Sequence, residues 1–293
     1  MQGIIIKAIS GFYYVKHEDE TIECKAKGAF RNEGISPMVG DLVEFDLKDD
    51  NSHGILRNVV GRKNSLYRPP VANVDKAFIV SAFENPAPNT LIIDTMTAIC
   101  EHNGVTPILV FNKSDLGDFD EWYNIYTKTS YKVILTSAKN SDGIEQIKNE
   151  LKSGISVFTG NSGVGKSSLL NSLMPALALK TGEVSEKLGR GRHTTRHVEL
   201  FRSGYGGYVA DTPGFATIEA DKTDYSFKEN LENLFPEFAP YLGACRFIGC
   251  SHTDDVGCAV CSAAESGEIA VSRLDSYKFL YNELKDLKKW QFK

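Results

Sequence analysis

A glycine-rich loop between a predicted strand and a predicted helix restricts this chain to a small set of folds. Residues 160–167 read GNSGVGKS and fit the pattern G-x-x-x-x-G-K-[ST]. The apolar stretch Ile155–Thr159 precedes the loop, and a helix-like stretch, 168–173, follows it. In this context the loop predicts a phosphate-binding site at the edge of a parallel α/β sheet, because the turned backbone N–H groups and the helix N-terminus attract anions.

The residues of this loop have separate predicted roles. Lys166 is expected to reach the β- and γ-phosphates of a nucleotide, and the hydroxyl group of Ser167 is expected to bind Mg²⁺. The predicted phosphate-binding residues are Gly160, Asn161, Ser162, Gly163, Val164, Gly165, Lys166, Ser167 and Ser168.

The pattern of apolar residues divides the chain into three regions. Five short runs rich in Ile, Val, Tyr and Phe within the first 66 residues predict a small closed β-barrel. An OB-fold is the leading candidate, and strand count alone leaves an SH3-like barrel open. From residue 74 strands alternate with helices, which predicts a parallel sheet covered on both faces. The predicted strands span 76–82, 107–111, 132–135 and 155–159, and the predicted helices span 90–102, 119–128 and 144–152. After residue 215 the strands stop, and residues 245–261 are predicted to form a loop. A stripe at helical spacing predicts a final helix through Leu274, Tyr277, Tyr281, Leu284 and Leu287.

A second motif selects the base of the nucleotide. Asn112-Lys113-Ser114-Asp115 ends a predicted strand and looks like the N-K-x-D element of GTPases. In that element the carboxylate accepts hydrogen bonds from N1 and N2 of guanine. Adenine has no donors at those positions, and one unpaired buried acceptor costs about 1–3 kcal/mol. The motif therefore favours GTP over ATP.

Two further motifs complete the set. Ser137 and Ala138 follow a predicted strand and resemble the S-A-K element, in which a backbone N–H meets guanine O6. Asp211 and Gly214 end another strand and resemble D-x-x-G, in which the Asp orients Mg²⁺ through water and the Gly amide faces the γ-phosphate. Each short match is weak alone, but four matches at the carboxyl ends of predicted strands form a strong pattern.

The order of these motifs along the chain is unusual. In an ordinary GTPase the phosphate loop comes first, whereas here N-K-x-D and S-A-K precede it and D-x-x-G comes last. A circular permutation explains this order and leaves the sheet intact. As a consequence, the loop that senses the γ-phosphate leads directly into the C-terminal region, so nucleotide state could be transmitted to that region.

The cysteines indicate a metal site. Cys245, Cys250, His252 and Cys258 lie within 14 residues, and three thiolates with one imidazole suit a structural tetrahedral Zn²⁺. Cys261 is a fifth candidate that could replace one of the four. Cys24 and Cys100 stand alone and are interpreted as small core residues.

Charge and hydropathy restrict the class of protein. The net charge is −5, from 33 basic and 38 acidic residues, so the chain is no generic basic nucleic-acid coat, although local basic patches could still meet phosphate. No apolar run is long enough to span a membrane, and the N-terminus has no cleavable signal pattern. We therefore expect a cytoplasmic protein that makes no membrane contact, and a monomer, since no oligomer seam is visible.

Together these features resemble one family, the ribosome small subunit-dependent GTPase A family (RsgA, also called YjeQ or YloQ). The resemblance rests on the barrel, the permuted motifs, the C-x4-C-x-H-x5-C pattern and the segments PMVGD (37–41), NVD (73–75) and GRGRHTT (189–195). It implies an OB-fold RNA-binding domain (1–66), a circularly permuted α/β GTPase domain (67–218) and a mostly helical zinc-binding domain (219–293). It also implies action on the maturing 30S subunit and its 16S rRNA.

The residue that orients the attacking water in many GTPases is absent from its usual position. Many GTPases place a Gln directly after D-x-x-G to orient the attacking water, but here that position is Phe215. His193 lies in the expected switch I loop, and the resemblance implies that it is catalytic. Thr195 is the predicted ligand of Mg²⁺ and the γ-phosphate, with the adjacent Thr194 as the alternative.

Three functions remain open from the sequence. The leading hypothesis is a GTPase that binds the 30S subunit late in its assembly and leaves after GTP is hydrolysed to GDP and phosphate. The second is a GTP-gated RNA-binding module with negligible hydrolysis, which Phe215 would allow. The third is a GTPase that acts on a non-ribosomal RNA.

Overall fold

The computed structural model describes residues 1–27, 30, 36–48, 53–67, 69–175, 198–211 and 225–289, with the backbone alone at residue 211.

The N-terminal strands form a closed β-barrel in the order β1-β2-β3-β5-β4-β1. The β3–β5 pair is parallel and the other pairs are antiparallel, as in an OB-fold. Alternate side chains such as Ile5, Val15 and Phe45 are fully buried inside the barrel, so the predicted closed barrel is confirmed. The strands are β1 (Gln2–Ile9), β2 (Phe12–His17), β3 (Glu20–Ala26), β4 (Leu42–Leu47) and β5 (Gly54–Val60).

A short hairpin joins the barrel to the next region. Its strands β6 (Ser65–Leu66) and β7 (Val71–Ala72) pair antiparallel, and Leu66 and Val71 are buried. The Asn73 side-chain amide donates to the Gly40 carbonyl at 3.0 Å. A Cβ atom at Gly40, whose φ is +92°, would lie 2.1 Å from the Ala72 carbonyl oxygen, so only glycine fits there. Two of the segments that carry the family resemblance, 37–41 and 73–75, therefore meet at this joint.

The central region contains a mainly parallel sheet in the order β10-β9-β8-β11-β13-β12, in which β12 alone among these described strands is antiparallel to its neighbour. The strands predicted as Lys132–Leu135 and Ile155–Thr159 have those bounds in the structure. One register pair, Lys7 with Glu199, also joins β1 to β12, so the sheet continues into the barrel. The strands are β8 (Val74–Ala82), β9 (Thr106–Asn112), β10 (Lys132–Leu135), β11 (Ile155–Thr159), β12 (Glu199–Arg202) and β13 (Tyr208–Asp211).

Four helices lie in the described part of this region. The first begins after Asn89, whose side chain accepts a hydrogen bond from the Ile92 N–H at 3.1 Å and so caps the helix. The second and third end two residues before the predicted positions 128 and 152. The helices are α1 (Thr90–His102), α2 (Asp120–Tyr126), α3 (Ile144–Glu150) and α4 (Lys166–Leu173).

The C-terminal region is helical and packs on α1. Leu274, Tyr277 and Leu280 of its last helix are buried, whereas the predicted stripe member Leu287 lies beyond the end of that helix. The sequence suggested a loop over 245–261, but a helix begins at Ala259 because the Cys258 sulfur accepts from the Cys261 N–H. The elements are α5 (Tyr225–Glu229), 3₁₀ turns at Leu231–Leu234 and Pro236–Phe238, α6 (Ala259–Glu265) and α7 (Val271–Leu284).

Among the described residues, no helix combines the length and apolar character that crossing a membrane requires.

Candidate nucleotide-binding site and metal centre

The predicted phosphate loop lies between β11 and α4, at the carboxyl edge of the sheet. Gly160 has a φ of +139°, and a Cβ atom there would lie 2.0 Å from the Val80 carbonyl oxygen, so the close approach of loop to β8 requires glycine. The Lys166 ammonium group donates to the carbonyl oxygens of Gly160 and Asn161. Burial lowers the pKa of Lys166 to about 8. A phosphate group would stabilise this partly desolvated cation.

Asn112, the first residue of N-K-x-D, connects this motif to the phosphate loop and to the S-A-K segment. Its side-chain N–H donates to the carbonyl of Val164 in the phosphate loop at 2.9 Å. Its side-chain oxygen accepts from the Thr136 hydroxyl at 3.2 Å and from the Ala138 N–H at 3.4 Å. A Cβ atom at Gly165 would lie 2.4 Å from the Asn112 amide nitrogen, so glycine is needed there for the connection. The first residue of N-K-x-D therefore holds the phosphate loop and the S-A-K segment together.

The side chains that follow Asn112 lie where the base site is predicted. The Asp115 carboxylate accepts from the Ser137 hydroxyl at 2.7 Å, and this hydrogen bond lowers the pKa of Asp115. The Lys113 ammonium group donates to the carbonyl oxygens of Glu84 and Asn85, which follow β8. Ser114 is positioned by its N–H, which donates to the Thr136 carbonyl at 3.0 Å. An ionised acceptor at the end of β9 suits the N1–H and N2–H groups of guanine.

The strand that leads to D-x-x-G lies beside the strand that leads to the phosphate loop. β13 runs parallel to β11, with Val157 opposite Ala210, and ends at Asp211. The start of the fourth motif therefore reaches the same edge of the sheet as the other three. Gly214 lies outside the described residues, and so do Phe215, His193, Thr194 and Thr195.

The predicted metal ligands converge in the C-terminal region. The donor atoms of Cys245, Cys250, His252 and Cys258 all lie within 4.8 Å of one another. The Cys245 and Cys258 sulfur atoms are 3.9 Å apart, and His252 Nδ1 lies 3.6 Å and 3.4 Å from them. Zinc–sulfur bonds of about 2.3 Å in a tetrahedron place two sulfurs about 3.8 Å apart. The four groups therefore fit a tetrahedral cation.

The surroundings of the cluster favour a thiolate at Cys258 and oppose one at Cys250. Burial opposes ionisation of Cys258, but the Cys261 amide and His252 outweigh it and lower the pKa of Cys258 to about 7. Burial raises the pKa of Cys250, which a bound cation would offset by deprotonating the thiol. The Cys261 sulfur lies 3.6 Å from the carbonyl oxygens of His252 and Thr253, outside the four-residue cluster.

A groove at one end of the barrel forms a separate basic surface. Its volume is about 380 Å³, and the Lys25 ammonium group lies 4.7 Å from the centre of the Phe12 ring. The groove is lined by Phe12, Lys25, Ala26, Lys27, Lys48, His53, Gly54 and Ile55.

Sequence reasoning missed two parts of these sites. The carbonyls of Glu84 and Asn85 hold Lys113 through backbone atoms, which no side-chain pattern reveals. Glu232 lies 3.1 Å from His252 but twenty residues before it in the chain. The spacing of the cysteines carries no signal for such a distant acid.

Comparisons with known proteins agree with this geometry. Residues 59–221 match the family model described as RsgA GTPase, and residues 2–56 match the model described as RsgA N-terminal domain. A small ribosomal subunit biogenesis GTPase RsgA from Caldanaerobacter subterraneus subsp. tengcongensis is 45% identical over 100% of this chain and 99% of its own length. A protein of the same name from Geobacillus sp. (strain WCH70) is 44% identical over 98% of each chain.

Two solved structures are similar over nearly the whole chain. The crystal structure of YjeQ from Thermotoga maritima aligns with a TM-score of 0.83 and 38% identity, covering 98% of this chain and 99% of that one. The structure of YloQ, described as a circularly permuted GTPase, aligns with a TM-score of 0.78 and 34% identity, covering 98% and 96%. The order of motifs in the sequence agrees with that description.

Proposed function

The chain belongs to the RsgA GTPase family, and from this premise we propose that it is a ribosome-stimulated GTPase. In this proposal it binds the 30S subunit through 16S rRNA, assists late maturation of the subunit and leaves after GTP is hydrolysed to GDP and phosphate. The names of the curated relatives, which are small ribosomal subunit biogenesis GTPases, support the choice of partner.

One observation carries the GTPase part of the proposal. Asn112 bonds the phosphate loop on one side and the S-A-K segment on the other, so three motifs that are dispersed in the chain form one site. In this site Lys166 would bind phosphate, Ser167 would bind Mg²⁺ and Asp115 would read the base. One chain supplies all three groups, which supports action as a monomer. The proposed partner, the 30S subunit, is a cytoplasmic particle, which supports a cytoplasmic location.

For hydrolysis we assign the water-orienting role to His193 and the Mg²⁺ and γ-phosphate contact to Thr195. Phe215 has no group that could orient water, so the role must fall to another residue. Docking on the subunit would place the imidazole of His193 beside the attacking water. This arrangement accounts for stimulation by the subunit.

We assign a separate role to each of three proposed domains, 1–66, 67–218 and 219–293. The barrel groove would contact rRNA, because it is lined by Lys25, Lys27 and Lys48 together with the half-buried aromatic ring of Phe12. The central region would bind GTP. The C-terminal region would be stabilised by one structural Zn²⁺ at Cys245, Cys250, His252 and Cys258, since four protein ligands leave no open position.

The decisive experiment is phosphate release from GTP with and without purified 30S subunits. We expect strong stimulation of the wild-type protein and its loss in His193→Ala, with subunit binding retained in a sedimentation assay. His197→Ala is the matched control, since it removes an imidazole from the same segment, and it should keep the stimulation.

The other outcomes separate the alternatives. Stimulation that survives in His193→Ala would keep the function and refute the catalytic assignment. Nucleotide-dependent binding without stimulated release would point to a GTP-gated RNA-binding module. In a competition assay, failure of 30S subunits to displace a bound non-ribosomal RNA would identify that RNA as the partner of the GTPase.

A further inference from the structure

The imidazole of His252 has two different neighbours, one on each nitrogen. Its Nδ1 lies 3.4 Å from the Cys258 sulfur and 3.6 Å from the Cys245 sulfur, on the side of the proposed metal. Its Nε2 lies 3.1 Å from a carboxylate oxygen of Glu232, on the opposite side. A neutral imidazole carries one proton, and a metal ligand needs a free lone pair. The geometry therefore assigns Nδ1 to the metal and the proton to Nε2.

Packing fixes the plane of this ring but not the position of its proton. His252 is 3% exposed, and its ring packs against the rings of Phe238 and Tyr277, with ring centres 6.5 Å and 6.2 Å away. Neither aromatic ring distinguishes the two tautomers of imidazole. The carboxylate of Glu232 does, because it can only accept a hydrogen bond when ionised and so stabilises the tautomer that donates from Nε2.

The backbone holds Glu232 in place for this contact. It lies in the 3₁₀ turn Leu231–Leu234, whose two terminal leucines are 3% and 6% exposed. This turn packs against both α1 and α7. The Glu232 carboxylate is therefore carried on a segment that is anchored in the core, which reduces the entropy lost when its side chain faces His252.

We propose that Glu232 is a positioning residue of the metal centre: it holds the proton of His252 on Nε2, keeps Nδ1 free for the cation and makes the imidazole a stronger donor. The proposal rests on the metal centre proposed above. Mutation of a carboxylate that accepts a hydrogen bond from a metal-ligating histidine typically weakens metal binding by about 10–100-fold. Because the Glu232 side chain is 42% exposed, the effect should lie near the lower end of that range.

The test measures Zn²⁺ affinity of the full-length protein by competition with a chromophoric chelator. We expect Glu232→Ala to weaken binding about tenfold and Glu232→Gln to weaken it less, because the amide oxygen still accepts from Nε2–H. Glu229→Ala is the matched control, an exposed glutamate of α5 three positions away, and should bind Zn²⁺ like the wild type.

A second measurement separates this role from a general structural defect. With Co²⁺ in place of Zn²⁺, the visible absorption of a tetrahedral Cys₃His site should be unchanged in shape in Glu232→Gln, and only the concentration needed for saturation should rise. Equal affinities in wild type, Glu232→Ala and Glu232→Gln would overturn the inference. If the wild-type protein itself binds neither Zn²⁺ nor Co²⁺, the proposed metal centre fails instead.

Discussion

Asp115 shows how one carboxylate can be prepared for base recognition. The Ser137 hydroxyl donates to one of its oxygens at 2.7 Å and lowers its pKa, so the group is ionised at neutral pH. The Lys139 ammonium group lies 4.0 Å from the other oxygen. Only 15% of the Asp115 side chain is exposed, which favours a fixed orientation over a mobile surface charge. An ionised acceptor held in this way discriminates between bases by what they can donate.

The first prediction concerns this discrimination. Asp115→Asn should weaken GDP binding by about ten- to a hundredfold, because the amide replaces one acceptor by a donor and leaves a guanine N–H unpaired. Xanthosine diphosphate carries a carbonyl where guanine carries its amino group, so it should bind the variant better than GDP does. Equilibrium titration with fluorescent analogues of both nucleotides measures the reversal.

Asp118→Asn is the control for the same loop. Asp118 lies three residues further on, where its carboxylate accepts from the Asp120 N–H at 2.8 Å. This variant should keep the preference for guanine. If both variants lose guanine specificity alike, the loop as a whole, and not Asp115, selects the base.

At the scale of elements, Arg273 joins the C-terminal helices to the central region. It lies on α7, is fully buried, and donates to Asp94 of α1 at 2.8 Å. On its other side it donates to Glu237 of the second 3₁₀ turn, at 3.1 Å between Nη2 and Oε2. The Tyr126 hydroxyl of α2 donates to the same Asp94 oxygen at 2.8 Å. One guanidinium group therefore fixes three helical segments to one another.

The second prediction follows from this burial. Arg273→Ala should lower the free energy of unfolding by about 3–5 kcal/mol, because it leaves the carboxylates of Asp94 and Glu237 buried without a cation. Lys278→Ala on the same helix should cost at most about 1 kcal/mol, since its partner Asp254 is largely solvent-exposed. Urea unfolding followed by circular dichroism compares the two. Similar losses of unfolding free energy in both variants would mean that the buried network stabilises the fold no more than a surface ion pair does.

The sequence predicted these elements unevenly, and the reason is physical. Periodicity located α1 and β11 with the observed bounds, because a continuous apolar face extends through each of them. It missed the start of α6, where a cysteine sulfur acts as the helix cap in place of the usual oxygen. It also had no means to pair Arg273 with Asp94, which are separated by 179 positions. Motif residues such as Gly160 were predictable because the backbone geometry restricts the residue type at their positions. Supporting residues such as Glu232 were not, because they are distant in the chain from the residues that they contact.

At the scale of the whole molecule, the barrel connects to the central sheet at a single register pair in the described strands. Lys7 of β1 lies opposite Glu199 of β12, and their side chains form an ion pair at 2.6 Å. The register of β1 shifts between Ile5 and Lys7, after the stretch in which it pairs with β4. β12 begins at Glu199, six positions after His193 in the chain. A displacement of the barrel on a subunit would therefore act on the strand that follows the proposed catalytic segment.

The last prediction tests this connection. Lys7→Glu should lower 30S-stimulated GTP turnover by up to about fivefold, the effect of an ion pair about one-third exposed, while turnover without subunits stays unchanged. Glu199→Lys should act alike, and the double variant Lys7→Glu/Glu199→Lys should recover most of the stimulation because it restores an opposite-charge pair. Lys16→Glu, on β2 of the same barrel, changes the barrel charge equally and should leave stimulation intact if the barrel acts through β12. A loss in Lys16→Glu as large as that in Lys7→Glu, or no recovery in the double variant, would instead assign the effect to the charge that the barrel presents to rRNA.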